Sequence, residues 1–142
     1  MTNQINTNGG NSSPQKNETN IFVYGSLREG LPLSPALSSA THVATCKSEG
    51  KYTMYDLGAF PCILKGGETQ IVGDLYIVDD ETLARLDLIE GVPVLYNRDI
   101  IDIYGWEQTN VYAYFFTDEK VQANIVENGD WKVHKGLSNV SI

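Results

Sequence analysis

A chain of 142 residues, 42% hydrophobic and 20% charged, has the length of one globular domain and is too short for two independent cores. Ten basic residues against 18 acidic leave a net charge of −8, which speaks against nucleic acid or an anionic membrane surface as partner, since both call for clustered Lys and Arg. Cys46, Cys62, His42 and His134 show neither disulfide nor metal-ligand spacing, so no cofactor and no structural metal are expected. No apolar run approaches the roughly eighteen residues of a membrane span, and the start lacks the charged-then-apolar pattern of a secretion signal. The expectation is a cytoplasmic protein acting on a small molecule or another protein.

In chain order, residues 1–20 are Asn-rich and nearly free of large aliphatic side chains, which predicts a disordered tail. Ile21-Phe22-Val23-Tyr24 then reads as a buried strand halted at Gly25-Ser26. Pro32 to Ala40 allows a short helix. Ser48 to Leu57 reads as a strand stopped at Gly58, and Gln70 to Val78 as a strand with Ile71, Gly73, Leu75 and Ile77 on one face and Val72, Asp74 and Tyr76 on the other. Asp79 to Glu90 is the best helix: an Asp caps it, acidic residues fill its first turn, Leu83, Leu86 and Ile89 share a side, and Gly91 closes it. Strands over Tyr96–Tyr104 and Asn110–Phe116 follow, and residues 136–142 read as a flexible end. The sum is one α+β domain over 21–135, expected to be a small, mostly antiparallel β-barrel or curled sheet with flanking helices.

Two features carry chemical interest. Glu90 falls in the last turn of its helix, where the dipole disfavours a carboxylate, and on the apolar stripe, where desolvation raises its pKa; such a group suits general-base work. The structural alternative is an ion pair with Arg98 on the next strand. The strand that stops at Tyr24-Gly25-Ser26-Leu27 leaves several amides close together, and such a nest can hold a carboxylate or an oxyanion; the structural alternative is an ordinary turn. A reactive Cys62 is disfavoured by its apolar neighbours.

Together, Ile21-Phe22-Val23-Tyr24-Gly25-Ser26-Leu27-Arg28, Leu57-Gly58-Ala59-Phe60-Pro61, Gly73-Asp74-Leu75-Tyr76, Leu86-Asp87 through Glu90-Gly91, Tyr96-Asn97-Arg98 and Asn128-Gly129-Asp130-Trp131 resemble the gamma-glutamylcyclotransferase-like (AIG2-like) family. The resemblance implies a compact barrel around a cavity and a cyclotransferase, a carbon–nitrogen lyase in which the α-amino group of a γ-glutamyl amide displaces the amine and leaves 5-oxoproline. It places the catalytic acid/base at Glu90 and substrate-binding residues at Tyr24, Gly25, Ser26 and Leu27. Tyr96 and Tyr114 are expected in the wall, and Arg98 either binds a carboxylate, orients Glu90 or forms a structural ion pair. The alternative is a module of the same fold that binds an amino-acid-like anion without turnover.

Overall fold

The computed structural model describes residues 17–137, so most of the expected tail, residues 1–16, and the end, 138–142, lie outside the described residues. Order begins earlier than expected: β1 covers Glu18–Val23, because Glu18, Thr19 and Asn20 pair with Asp79, Val78 and Ile77. The remaining strands are β2 (Thr41–Lys47), β3 (Tyr52–Asp56), β4 (Pro61–Lys65), β5 (Val72–Asp79), β6 (Tyr96–Ile100), β7 (Val111–Phe116) and β8 (Asn124–Ile125). Two helices accompany them, α1 (Asp80–Glu90) and α2 (Trp131–His134). At the far end Leu137 still packs on the core, where a flexible end was expected from residue 136.

The strands form two open sheets, not a closed barrel. One runs β2-β5-β1-β7-β6, with β1 and β7 parallel and the other pairs antiparallel; the second runs β4-β3-β8. The strand expected over 48–57 breaks around Gly50, where the Lys51 amide turns back to the Glu49 carbonyl at 3.0 Å, and β3 resumes at Tyr52 with β4 and β8 as partners. Consecutive strands β2 and β3 thus enter different sheets, and that switch leaves the barrel unclosed. Between β1 and β2 the expected helix is a single 3-10 turn, Ser34–Leu37, because Pro32 and Pro35 withdraw amide donors.

Alternation along β1 divides the interior in two. Phe22 points to one cluster with Met54, Ile63, Leu75, Val111 and Trp131, whereas Ile21 and Val23 point to a second with Tyr76, Val78, Leu86, Tyr96 and Tyr114. The second cluster carries α1 against the sheet, and the candidate site opens beside it.

Candidate active site

Helix α1 aims the central residue. The Asp79 carboxylate accepts the Thr82 amide at 2.8 Å and starts the helix, and Gly91, at φ 68° and ψ 37°, ends it with its amide on the Asp87 carbonyl. Leu86 is fully buried under the sheet, and Glu90, one turn later, lies on the same face. Its side chain lines a cavity of about 170 Å³ together with Tyr24, Gly25, Ser26, Leu27, Tyr96 and Tyr114. Seven of the eight residues singled out from sequence therefore meet around one hollow. Among the described residues Glu90 makes no hydrogen bond and no ion pair, and burial pushes its carboxyl up to about 7.

The floor of the cavity is the exit of β1. The Arg28 amide donates to the Gly25 carbonyl at 2.9 Å and the Leu33 amide to the Ser26 carbonyl at 3.0 Å, which folds 25–28 into a turn. The amides of Gly25, Ser26 and Leu27 have no acceptor among the described residues, so the turn offers donors and no competing carbonyl.

Tyr24, Tyr96 and Tyr114 stand in the wall of the cavity, with their hydroxyls bonded inside the protein. Tyr24 donates to the Tyr114 carbonyl at 2.6 Å, Tyr96 to the Pro61 carbonyl at 2.7 Å, and Tyr114 to the Asp87 carboxylate at 2.8 Å. Their phenol protons are committed to the protein, so they are rigid walls that tie β1, β4, β6 and β7 together. Burial, and after it the neighbouring acidic groups, Glu90 among them, push all three phenols up and keep them neutral.

Arg98 stands apart. It forms a two-pronged pair with Asp87, Nε to Oδ1 at 2.8 Å and the second nitrogen to Oδ2 at 3.0 Å, and it does not line the cavity. The ion pair with Glu90, the structural alternative for that carboxylate, is therefore not formed. Asp87, one turn before Glu90, takes the guanidinium instead, since its position on α1 faces β6 and β7. Burial pushes Asp87 up, but the bonds from Arg98 and Tyr114 outweigh it and hold the carboxyl below its usual range. The trio clamps the last turn of α1 to the sheet and leaves Glu90 unpaired.

Sequence reading missed a second charged group, below the turn. Arg28 and Asp74 are 4% and 1% exposed, and Arg28 joins Asp74 at 3.2 Å to Asp130, the N-cap of α2, at 3.1 Å. Asp74 also accepts the Glu29 amide at 3.0 Å and the Thr45 hydroxyl at 2.6 Å, with His42 at 3.3 Å. His42 and Thr45 would face opposite sides of a regular strand; the register shift between His42 and Ala44 turns both toward Asp74. The signal was available: an acid in the middle of an apolar strand, on the face shared with Val72 and Tyr76, needs a buried cation.

Gly25 packs against the cavity wall. A Cβ there would sit 3.0 Å from Cδ and Cγ of Pro61, so it would crowd the wall. Gly25→Val is expected to displace Pro61, raise KM at least tenfold, and cost about 1–3 kcal/mol of stability; steady-state kinetics and urea unfolding read the two effects separately. An unchanged KM would limit the glycine to a folding role. Cys62 is fully buried, and burial first, then the Asp118 charge, pushes its thiol up to about 12. Iodoacetamide at pH 7.5 is expected to leave Cys62 unmodified in the folded protein, as peptide mass mapping would show.

The family model for gamma-glutamyl cyclotransferase, AIG2-like, matches residues 21–133. The chain belongs to this family. A Vibrio cholerae relative is 34% identical over 112 residues, covering 78% of this chain and 93% of the relative. The gamma-glutamylcyclotransferase family protein YtfP of Escherichia coli K12 is 31% identical over 112 residues, covering 78% of this chain and 94% of its own. The crystal structure of an uncharacterized Pyrococcus horikoshii protein superposes with a TM-score of 0.68 at 26% identity, over 82% of this chain and 92% of that one. In this AIG2-like chain the residues that carried the resemblance have visible work. Gly73 leaves room for the Val23 carbonyl, Asp74 holds Arg28, and Asn128-Gly129-Asp130 turns the chain so that Asp130 meets the same guanidinium.

Proposed function

We propose that this chain is a cyclotransferase for γ-glutamyl amides, with Glu90 as general acid and base. The observation that carries the reading is the unpaired Glu90 carboxyl in a largely apolar cavity that the turn of 25–27, with its free amides, also lines. A carboxyl near 7 is partly ionised at neutral pH, so it can accept a proton from the substrate's α-ammonium group and still be acidic enough to return it. The freed amine attacks its own γ-carbonyl carbon, a five-membered ring closes, and the γ carbon–nitrogen bond breaks. The departing amine takes the proton from Glu90. Ring closure is intramolecular, so holding the glutamyl chain folded supplies much of the acceleration.

The cavity volume of about 170 Å³ lies below the roughly 300–1,000 Å³ of sites for drug-sized ligands, and a glutamyl unit is correspondingly small. The turn's amides carry no side chain's charge of their own, and they would hold the substrate's α-carboxylate or the oxyanion of the tetrahedral intermediate. The test is incubation with a panel of γ-glutamyl amides and chromatographic detection of 5-oxoproline with the matching free amine. Tight binding with no product across the panel would replace the enzyme by the binding module.

A further inference from the structure

The mouth of the cavity is unlike its floor. Leu33, Phe60, Ile89 and Leu95 all line it, and each is between 39% and 42% exposed. They come from separate segments: the approach to the 3-10 turn, the β3–β4 loop, the last turn of α1 and the residue before β6. Four independent stretches of chain thus bring an aliphatic or aromatic side chain to one opening. Among the described residues lining the cavity, Glu90 is the one that carries a charge. The neighbouring cations are committed elsewhere, Arg98 to Asp87 and Arg28 to Asp74 and Asp130.

The two halves of a γ-glutamyl amide make different demands on such a site. The glutamyl half has a carboxylate and an amine, for which the amides of 25–27 and Glu90 are in place. The half beyond the scissile nitrogen must lie along the mouth. An amino acid there brings a carboxylate one carbon from the nitrogen, and a diamine brings an ammonium group. Either would lose hydration against Leu33, Phe60, Ile89 and Leu95 with no partner to replace it. An alkyl or arylalkyl chain meets no such cost, and each methylene it buries strengthens binding roughly fourfold.

We propose that the site selects γ-glutamyl amides of apolar amines, a selectivity that rests on the cyclotransferase reading above. The α-amino nitrogen bonds to the γ-carbonyl carbon, the bond to the alkylamine nitrogen breaks, and that nitrogen leaves with the proton Glu90 had taken. No further reactant is consumed. The reactions that supply this substrate must therefore join glutamate's side-chain carboxyl to a hydrophobic amine.

The test measures 5-oxoproline release from the γ-glutamyl methyl-, propyl-, butyl- and benzylamides against γ-glutamylglycine and γ-glutamylputrescine. The expected kcat/KM climbs roughly fourfold per methylene from methyl to butyl, and the butylamide exceeds the glycine and putrescine compounds at least tenfold. Phe60→Ser and Ile89→Ser, at half-exposed positions, are expected to bring the butyl-to-methyl ratio toward one, a quantity that a general folding defect would not move. Turnover of the glycine or putrescine compound as fast as the butylamide would overturn the selectivity and leave the cyclotransferase standing. Absence of 5-oxoproline from every amide would overturn both.

Discussion

Glu90→Gln is expected to lower 5-oxoproline release by roughly 10²–10⁴-fold, the usual worth of a positioned general acid/base. Gln keeps the volume of the side chain and removes the proton acceptor, so circular dichroism should be unchanged. The same substitution has a second, opposite signature. In the folded chain the Glu90 carboxyl holds its proton to about pH 7, against a reference of 4.5 for an unperturbed glutamate. Between those values the folded state binds more protons than the unfolded state, so this group's contribution to stability falls as pH rises from 4.5 to 7. Above pH 7 the whole cost of a buried, unpaired charge is present, on the order of 3 kcal/mol. Glu90→Gln removes it, so the variant should melt higher than the parent at pH 8 and no higher at pH 4.5. The parent's kcat/KM should fall about tenfold per unit of acidification below pH 7, where the base is protonated. A variant that keeps its turnover would move the base elsewhere; one that loses turnover and melts lower at pH 8 would make Glu90 a structural residue.

Asp74→Ala should damage the fold more than any change at the cavity, at about 3–5 kcal/mol in urea unfolding. It leaves the buried Arg28 guanidinium with Asp130 alone, and it also orphans the Glu29 amide and the Thr45 hydroxyl. Against a typical total of about 5–15 kcal/mol, that is a large share. Arg28→Ala is expected to cost a similar amount, and the double variant less than the sum of the two, because each single change leaves the other member of the pair buried without it, whereas the double change removes both. Burial pushes Asp74 up, but Thr45, the Glu29 amide, Arg28 and His42 together hold its carboxyl below the ordinary range. The stability it contributes is therefore present above the ordinary carboxylate pKa of about 3.9 and is lost as pH falls through its lower folded value. A cost below about 1 kcal/mol for Asp74→Ala would mean that Arg28 finds solvent when its partner is removed.

What could be read from sequence was whatever local chemistry determines. Helix α1 was legible to its last residue because Asp79, the acidic first turn and Gly91 act within a few residues of one another. β5 and β7 were legible because long runs of apolar and β-favouring side chains leave few alternatives. β2 was not, since its pattern is mostly exposed and its pairing with β5 depends on residues some thirty positions away. β4 reads from sequence only as an apolar run around Cys62, since nothing local distinguishes a strand from another buried segment of that length. The barrel failed for the same reason: whether β3 continues the sheet of β2 or starts another is decided by contacts with β8 and not by residues 48–57 themselves. At the site, Glu90 stood out by its conflict with the helix dipole. The clamp of Asp87 with Arg98 and Tyr114 was hidden, because the nearer acid in sequence, Glu90, and the true partner differ by a single helical turn.

The guanidinium of Arg28 joins the turn after the first strand to a residue at position 130, and β1 itself is zipped between β5 and β7. During synthesis β1 can pair with β5 once residue 79 has emerged, but its other edge must wait for β7, residues 111–116. Contacts so distant along the chain form slowly, and a nascent chain arrested before Asp130 would hold the turn through Asp74 alone.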